Sequence, residues 1–198
     1  YKVKQVLESG FPYDSYIYQE WLNVIEDKQI KHKITHAGQE IDLGNGTKLE
    51  MLNPPAKLFQ GTSHDVDNNG VVIKLRWDKV SFLFTADIRD EAEFDLISQR
   101  ANLKSTVLKV AHHGSKTSTS TQFWAAVDPE IAVISVGANN TFGHPSSEVM
   151  ERLGEKLEKD EVYLTSEDGT IEFITDGERL WIKTERQEHN PFSLSNKQ

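Results

Sequence analysis

The spacing of apolar and polar positions along this chain switches between helical and extended periods, and each switch marks a new element. A short apolar run, VKQVL, leads to Gly10 and Pro12 and reads as a strand passing into a loop. In DSYIYQEWLNVIEDK, Ile17, Trp21 and Ile25 recur at i, i+4 and i+8 behind Asp14 or Ser15 as a cap, which predicts an amphipathic helix. The period then falls to two in KLEML, in VVIKLRW with Val71, Ile73, Leu75 and Trp77 on one side, and in VSFLFTA, which are strands. EAEFDLISQRANL returns to helical spacing and TVLKVA is a buried strand. TQFWAAV is a short helix with Thr119 and Gln122 placed as a capping box, and IAVISV is a further strand. SEVMERLGEKLEK aligns Val149, Leu153 and Leu157 on one helical face. EVYLT, TIEFIT and RLWIKT close the pattern as strands, the last two joined by a tight two-residue turn at Asp176-Gly177.

That order, strands first, then alternating helix and strand, then strands again, predicts an α/β protein built as a layered sandwich rather than a doubly wound sheet. No internal repeat or linker interrupts it. Residues 1–184 are expected to form one domain and 185–198, which have no period, a flexible tail. The 198 residues, 37% hydrophobic and 27% charged, contain no run of eighteen apolar positions, so no membrane contact is expected from this segment itself. Cysteine is absent, which excludes disulfides, a thiolate nucleophile and Cys-ligated zinc, so a metal would need His, Asp, Glu or Asn. A net charge of −9 argues against coating a phosphate backbone, though contact with one or two phosphates remains open because bound cations offset local charge.

The chemistry-bearing residues follow the apolar runs. In α/β proteins ligands gather in the crevice beyond the carboxyl ends of strands. VSFLFT is followed by Ala86-Asp87, TVLKVA by His112-His113-Gly114-Ser115, and IAVISV by a loop containing Gly143-His144-Pro145. Taken singly, Asp87 reads as a turn or helix cap and His144 as a surface loop residue. Together, at the ends of successive core strands, they predict a shared site.

VSFLFTAD, VLKVAHHGSKTSTS and DPEIAVISVGANNTFGHPSSEVMERL resemble the metallo-β-lactamase-like domain of ComEC-type DNA-uptake (competence) proteins and their soluble relatives. The similarity runs from about Gln39 to Ile174, and HHGSKTS followed some thirty residues later by GHP is its most specific part. The resemblance implies an αββα sandwich holding two divalent ions, Zn or Mn. Asp87 then matches the bridging carboxylate, and His113 the histidine that closes the second metal site. His112 is the supporting or alternative ligand, and the pattern does not separate the two histidines. Ser115, Lys116 and His144 would face substrate, with His144 as general acid and Lys116 as a phosphate contact. SHDVDNNG lies where the family supplies a further ligand, either His64 or Asp65, both of which also read as ordinary loop residues. Family members are often fused to a membrane channel domain, which implies the bacterial cytoplasm or a cell-envelope face.

The superfamily's HxHxDH signature is missing, and His32, His36 and His189 stand alone among polar neighbours as surface residues. Two explanations stand. Either this chain is the C-terminal portion of the domain, the αββα sandwich lacking its N-terminal part, with that part or another chain completing the fold, or it is a shortened, metal-poor relative that binds without cutting. The first explanation leads to a metal-dependent nuclease or phosphodiesterase acting on a nucleic acid or nucleotide through a metal-activated water. The second leads to a catalytically silent binding or assembly module, and an ester or lactone hydrolase is a third reading.

Overall fold

Alternation along the central strands sorts their side chains into two cores. The computed structural model describes residues 2–186 and the backbone of 190–192. Seven strands form the main sheet, in the spatial order β3 (Glu40–Gly44), β4 (Thr47–Asn53), β5 (Val72–Trp77), β6 (Val80–Phe84), β7 (Val107–Lys109), β8 (Ile131–Ile134) and β9 (Val162–Leu164). β3 to β6 run antiparallel to their neighbours, whereas β6, β7, β8 and β9 pair in parallel. Leu83, Leu108, Val110, Ala132 and Ile134 point to one face and pack against α3 (Asp90–Ser98), α4 (Thr121–Val127) and α5 (Ser147–Gly154). Val80, Val107 and Ile131 point to the other, where Leu180 and Ile182 of a second sheet meet them. Each fully buried Leu or Ile contributes about 1.5–3 kcal/mol relative to exposure.

The second sheet is antiparallel, ordered β10 (Ile171–Thr175), β11 (Leu180–Thr184), β12 (Asn190–Phe192). The protein is thus a mixed α/β structure whose central seven-stranded sheet is flanked by helices. Among the described residues, the layers traced by the two cores are helix, sheet and sheet. Of the segment 185–198, residues 187–189 and 193–198 lie outside the described residues, His189 among them. Glu185 accepts from Thr170 N–H at 3.0 Å, and Arg186 donates to the carbonyls of Ser166 and Glu167.

Several elements differ locally from the sequence pattern. In α1 (Tyr16–Asp27) the hydroxyl of Ser15 caps the helix, accepting from Tyr18 N–H at 3.1 Å, yet Ile17 is 80% exposed and only Ile25 is buried. The stripe is therefore carried partly by ring stacking, Tyr18 on Trp21 at 5.6 Å. His32 is not isolated: it lies on β2 (Lys31–Ile34), which pairs in parallel with β1 (Gln5–Glu8), and its Nε2 is 2.7 Å from Glu8. α4 is capped by Ser120 and not Thr119, because buried Glu93 takes up the backbone N–H groups of both Thr119 and Ser120. The β10–β11 connection is a four-residue loop: Thr175 pairs with Leu180, and Asp176 accepts from the N–H groups of Glu178 and Arg179.

Candidate functional site

The three segments singled out by their position after apolar runs all emerge from the carboxyl ends of parallel strands. Asp87 follows β6, the histidine pair follows β7, and Gly137 to Pro145 follow β8. Since these strands are adjacent and parallel, their ends open onto one edge of the sheet. The turn after β7 is conformationally unusual. His112 and His113 adopt left-handed backbone angles, φ 47° and 55°, and Gly114 continues the run at φ 80°. Consecutive left-handed residues other than glycine are strained and persist only where their surroundings fix them. Here His112 N–H donates to Ala86 O at 3.2 Å, tying the turn to the residue before Asp87, and Gly114 O accepts from Ser146 N–H at 2.9 Å, tying it to the loop of His144.

The result is a cluster. His113 Nε2 lies 3.5 Å from Asp87 Oδ2, and the His112 ring is 6.3 Å from that of His113 and 6.0 Å from that of His144. His113 Nδ1 is 2.7 Å from the carbonyl of Ser135. A carbonyl only accepts, so Nδ1 carries the proton, and in a neutral ring Nε2 then points a lone pair at a carboxylate. Two acceptors facing at that distance call for a shared cation, a proton or a metal ion, and the carbonyl-anchored imidazole is the arrangement that orients a metal-bound histidine. His112 is held below its ordinary pKa by burial and then by the Arg89 guanidinium, against the pull of Asp67 and Asp87. It is therefore favoured as neutral, a state in which a ring nitrogen can bind a cation. The Nδ1 atoms of His112 and His144 are buried and have no hydrogen-bond partner.

This donor set fits one side of a metal's coordination shell and not a whole centre. Asp87 and His113 form a pair, and among the described residues no group of three or more His, Asp or Glu is disposed to hold a metal ion. Asp65 does not turn toward the cluster: its oxygens accept from the N–H groups of Gly61 and Thr62 and from the Thr62 hydroxyl, which hold its carboxyl below the ordinary range. His64 stands at the start of α2 (Asp65–Asn68), its Nδ1 buried without a partner.

The other expected residues divide. His144 lines a cavity of about 310 Å³ together with His113, Ser135, Asn140, Phe142 and Thr165. Ser115 does not line it; its side chain is buried and its Oγ is 3.1 Å from the Thr117 hydroxyl, because the left-handed turn carries it inward. Lys116 is exposed and close enough to Glu148, in the first turn of α5, to lower that carboxyl, behind the stronger pull of its own backbone and the Ser146 hydroxyl. Of the three residues expected to face substrate, His144 lines this cavity, Ser115 is buried and Lys116 is exposed.

Three features were not singled out from the sequence. Arg89 donates to Asp67 at 2.7 Å and to the Thr117 hydroxyl, placing a fixed cation beside His112. Its position two residues after Asp87 was the available signal. Lys109, at the end of β7, is half-buried, with long contacts of 3.4 and 3.5 Å to the carbonyls of Ala86 and Val110. Burial lowers its pKa while Asp87 opposes the shift. Asn140 organises the loop after β8 through four hydrogen bonds, and Thr165 pins its start by bonding both Val136 N–H and Val136 O.

No family model matches the chain. It is similar to ComE operon protein 3 of Bacillus subtilis, 35% identical over 107 residues that cover 54% of this chain and 14% of that protein. It is 33% identical to competence protein ComA of Neisseria gonorrhoeae over 121 residues, 60% of this chain and 17% of that one. Recombination protein 2 of Haemophilus influenzae is 36% identical over 147 residues, 74% and 18%. The chain thus spans less than a fifth of the length of the curated relatives it matches. Among the described residues no helix is long and apolar enough to cross a membrane.

Proposed function

We propose that this chain carries a phosphodiester-hydrolysing site of a DNA-uptake protein. In this reading Asp87 and His113 grip a divalent cation, Zn or Mn, whose remaining ligands come from outside the described residues. His112 is the neighbouring or alternative ligand, and His144 is the acid that serves the leaving oxygen. The observation that carries the reading is the opposed pair: a carboxylate oxygen 3.5 Å from an imidazole nitrogen whose other nitrogen is anchored on the Ser135 carbonyl. The similarity to a competence protein and a recombination protein supports DNA as the substrate. When bound, the cation would supply hydroxide at neutral pH by lowering the pKa of its water to about 7.

A second reading, a module that binds without cutting, is favoured by the shortage of ligands among the described residues. Turnover separates the two. The natural full-length protein is expected to cleave end-labelled single-stranded DNA when Mn²⁺ or Zn²⁺ is supplied, and His113→Ala is expected to lose about 10- to 100-fold of that rate or more. Wild-type protein that binds the strand but leaves it intact under both metals selects the silent module.

A further inference from the structure

Phe142 is 79% exposed, on a loop whose neighbours are functional candidates. Its ring lies nearly parallel to that of His144, 5.9 Å between centroids and 18° between planes. It shares the 310 Å³ cavity with His113 and His144. The loop that presents it is ordered from within: Asn140 Oδ1 accepts from Phe142 N–H at 3.2 Å and His144 N–H at 3.0 Å, while Nδ2 donates to Gly137 O and His144 O. Both ends of the Asn140 amide are thereby engaged, and the ring is held toward solvent rather than folded into the core.

Charge narrows what such a ring is for. A chain of net charge −9 cannot draw its affinity for a polyanion from neutralising many phosphates. Stacking of a base on an aromatic face is insensitive to that balance and tolerant of sequence, because every base has a π-face. A base inside a duplex already has both faces covered. Resting on the phosphodiester reading of the site, we propose that Phe142 is the stacking platform for one unpaired nucleobase, so that the site selects single-stranded nucleic acid and seats the adjoining phosphodiester at His113 and His144.

The test compares three fluorescent, hydrolysis-resistant phosphorothioate ligands on the natural full-length protein by anisotropy: an oligothymidylate, the same backbone with abasic residues, and a duplex of equal length. Phe142→Ala and Phe142→Leu are expected to weaken oligothymidylate binding by about 5- to 150-fold, the equivalent of one lost base stack. Phe142→Trp is expected to retain it. Binding of the abasic strand and of the duplex should be weak in the wild type and the same in every variant. Since the ring is exposed, all three variants should melt with the wild type. The inference is overturned if Phe142→Ala binds oligothymidylate like the wild type, or if it loses oligothymidylate and abasic strand equally. Wild-type protein that binds none of the three ligands sinks the phosphodiester reading along with it, whereas wild-type cleavage of single strands that is unaltered in Phe142→Ala sinks this inference alone.

Discussion

His113 shows how one hydrogen bond fixes a side chain's chemistry. Its Nδ1 is committed to Ser135 O, so the nitrogen left for Asp87 is the one without a proton in the neutral ring. Glu93 shows the opposite use of a carboxylate. It is fully buried, and its two oxygens take the N–H groups of Thr119 and Ser120 at the start of α4. Burial raises its carboxyl above the ordinary glutamate value, outweighing the lowering effect of those donors. The folded protein therefore holds this proton more tightly than the unfolded chain. The associated stability is fully present below the ordinary value and is lost as pH rises through the folded one. Melting curves of wild type and Glu93→Gln across acid pH should show the wild type's advantage largest at the acid end and narrowing as pH rises; an advantage that grows with pH would contradict this assignment.

Among the elements, the turn after β7 does most to assemble the site. Gly114 has φ 80°, and a Cβ there would lie 2.7 Å from Pro145 Cβ and 3.1 Å from its Cα. Glycine is required both by the backbone angle and by the close approach of the His144 loop. Gly114→Ala is expected to destabilise the protein by about 1–3 kcal/mol, read by urea unfolding, and to lower turnover with it. Unchanged stability would mean that the two loops are not locked together.

The same element marks the limit of sequence reading. The positions of Asp87, His113 and His144 after successive apolar runs were legible, because strand length and polarity alone reveal where a strand ends. The inward turn of Ser115 was not, since no period encodes three successive left-handed residues. Period two placed Ile73, Leu75 and Trp77 on a common face of β5, but not that the opposite face would bury Val72 and Lys74 more completely. Lys74 is accommodated there by the carbonyls of Asn102 and Lys104, partners 28 and 30 residues away that local pattern cannot supply. β2 was missed because KHKI is too short and polar to carry alternation, and β3 because the alternation of Ile41 and Leu43 in EIDLG spans too few residues to stand out.

At the scale of the whole molecule, the fold places a polar cluster at one end of a parallel sheet segment on an acidic body. If DNA is held by one cation and one stacked base, its affinity should depend only weakly on salt. The slope of log K against log salt for single strands is about −0.7 per phosphate contacted, so a value of about −1 to −2 is expected over 50–200 mM. A slope near −5 or steeper would point to a basic surface that the described residues do not show.

Everything in the functional account passes through the cation that Asp87 and His113 are proposed to share. Isothermal titration of Mn²⁺ and Zn²⁺ into the natural full-length protein, beside Asp87→Asn and His113→Ala variants of unchanged melting temperature, tests that sharing directly. The account predicts saturable binding that weakens at least about tenfold in each variant. Binding of equal affinity in all three proteins, or none in the wild type, would contradict it.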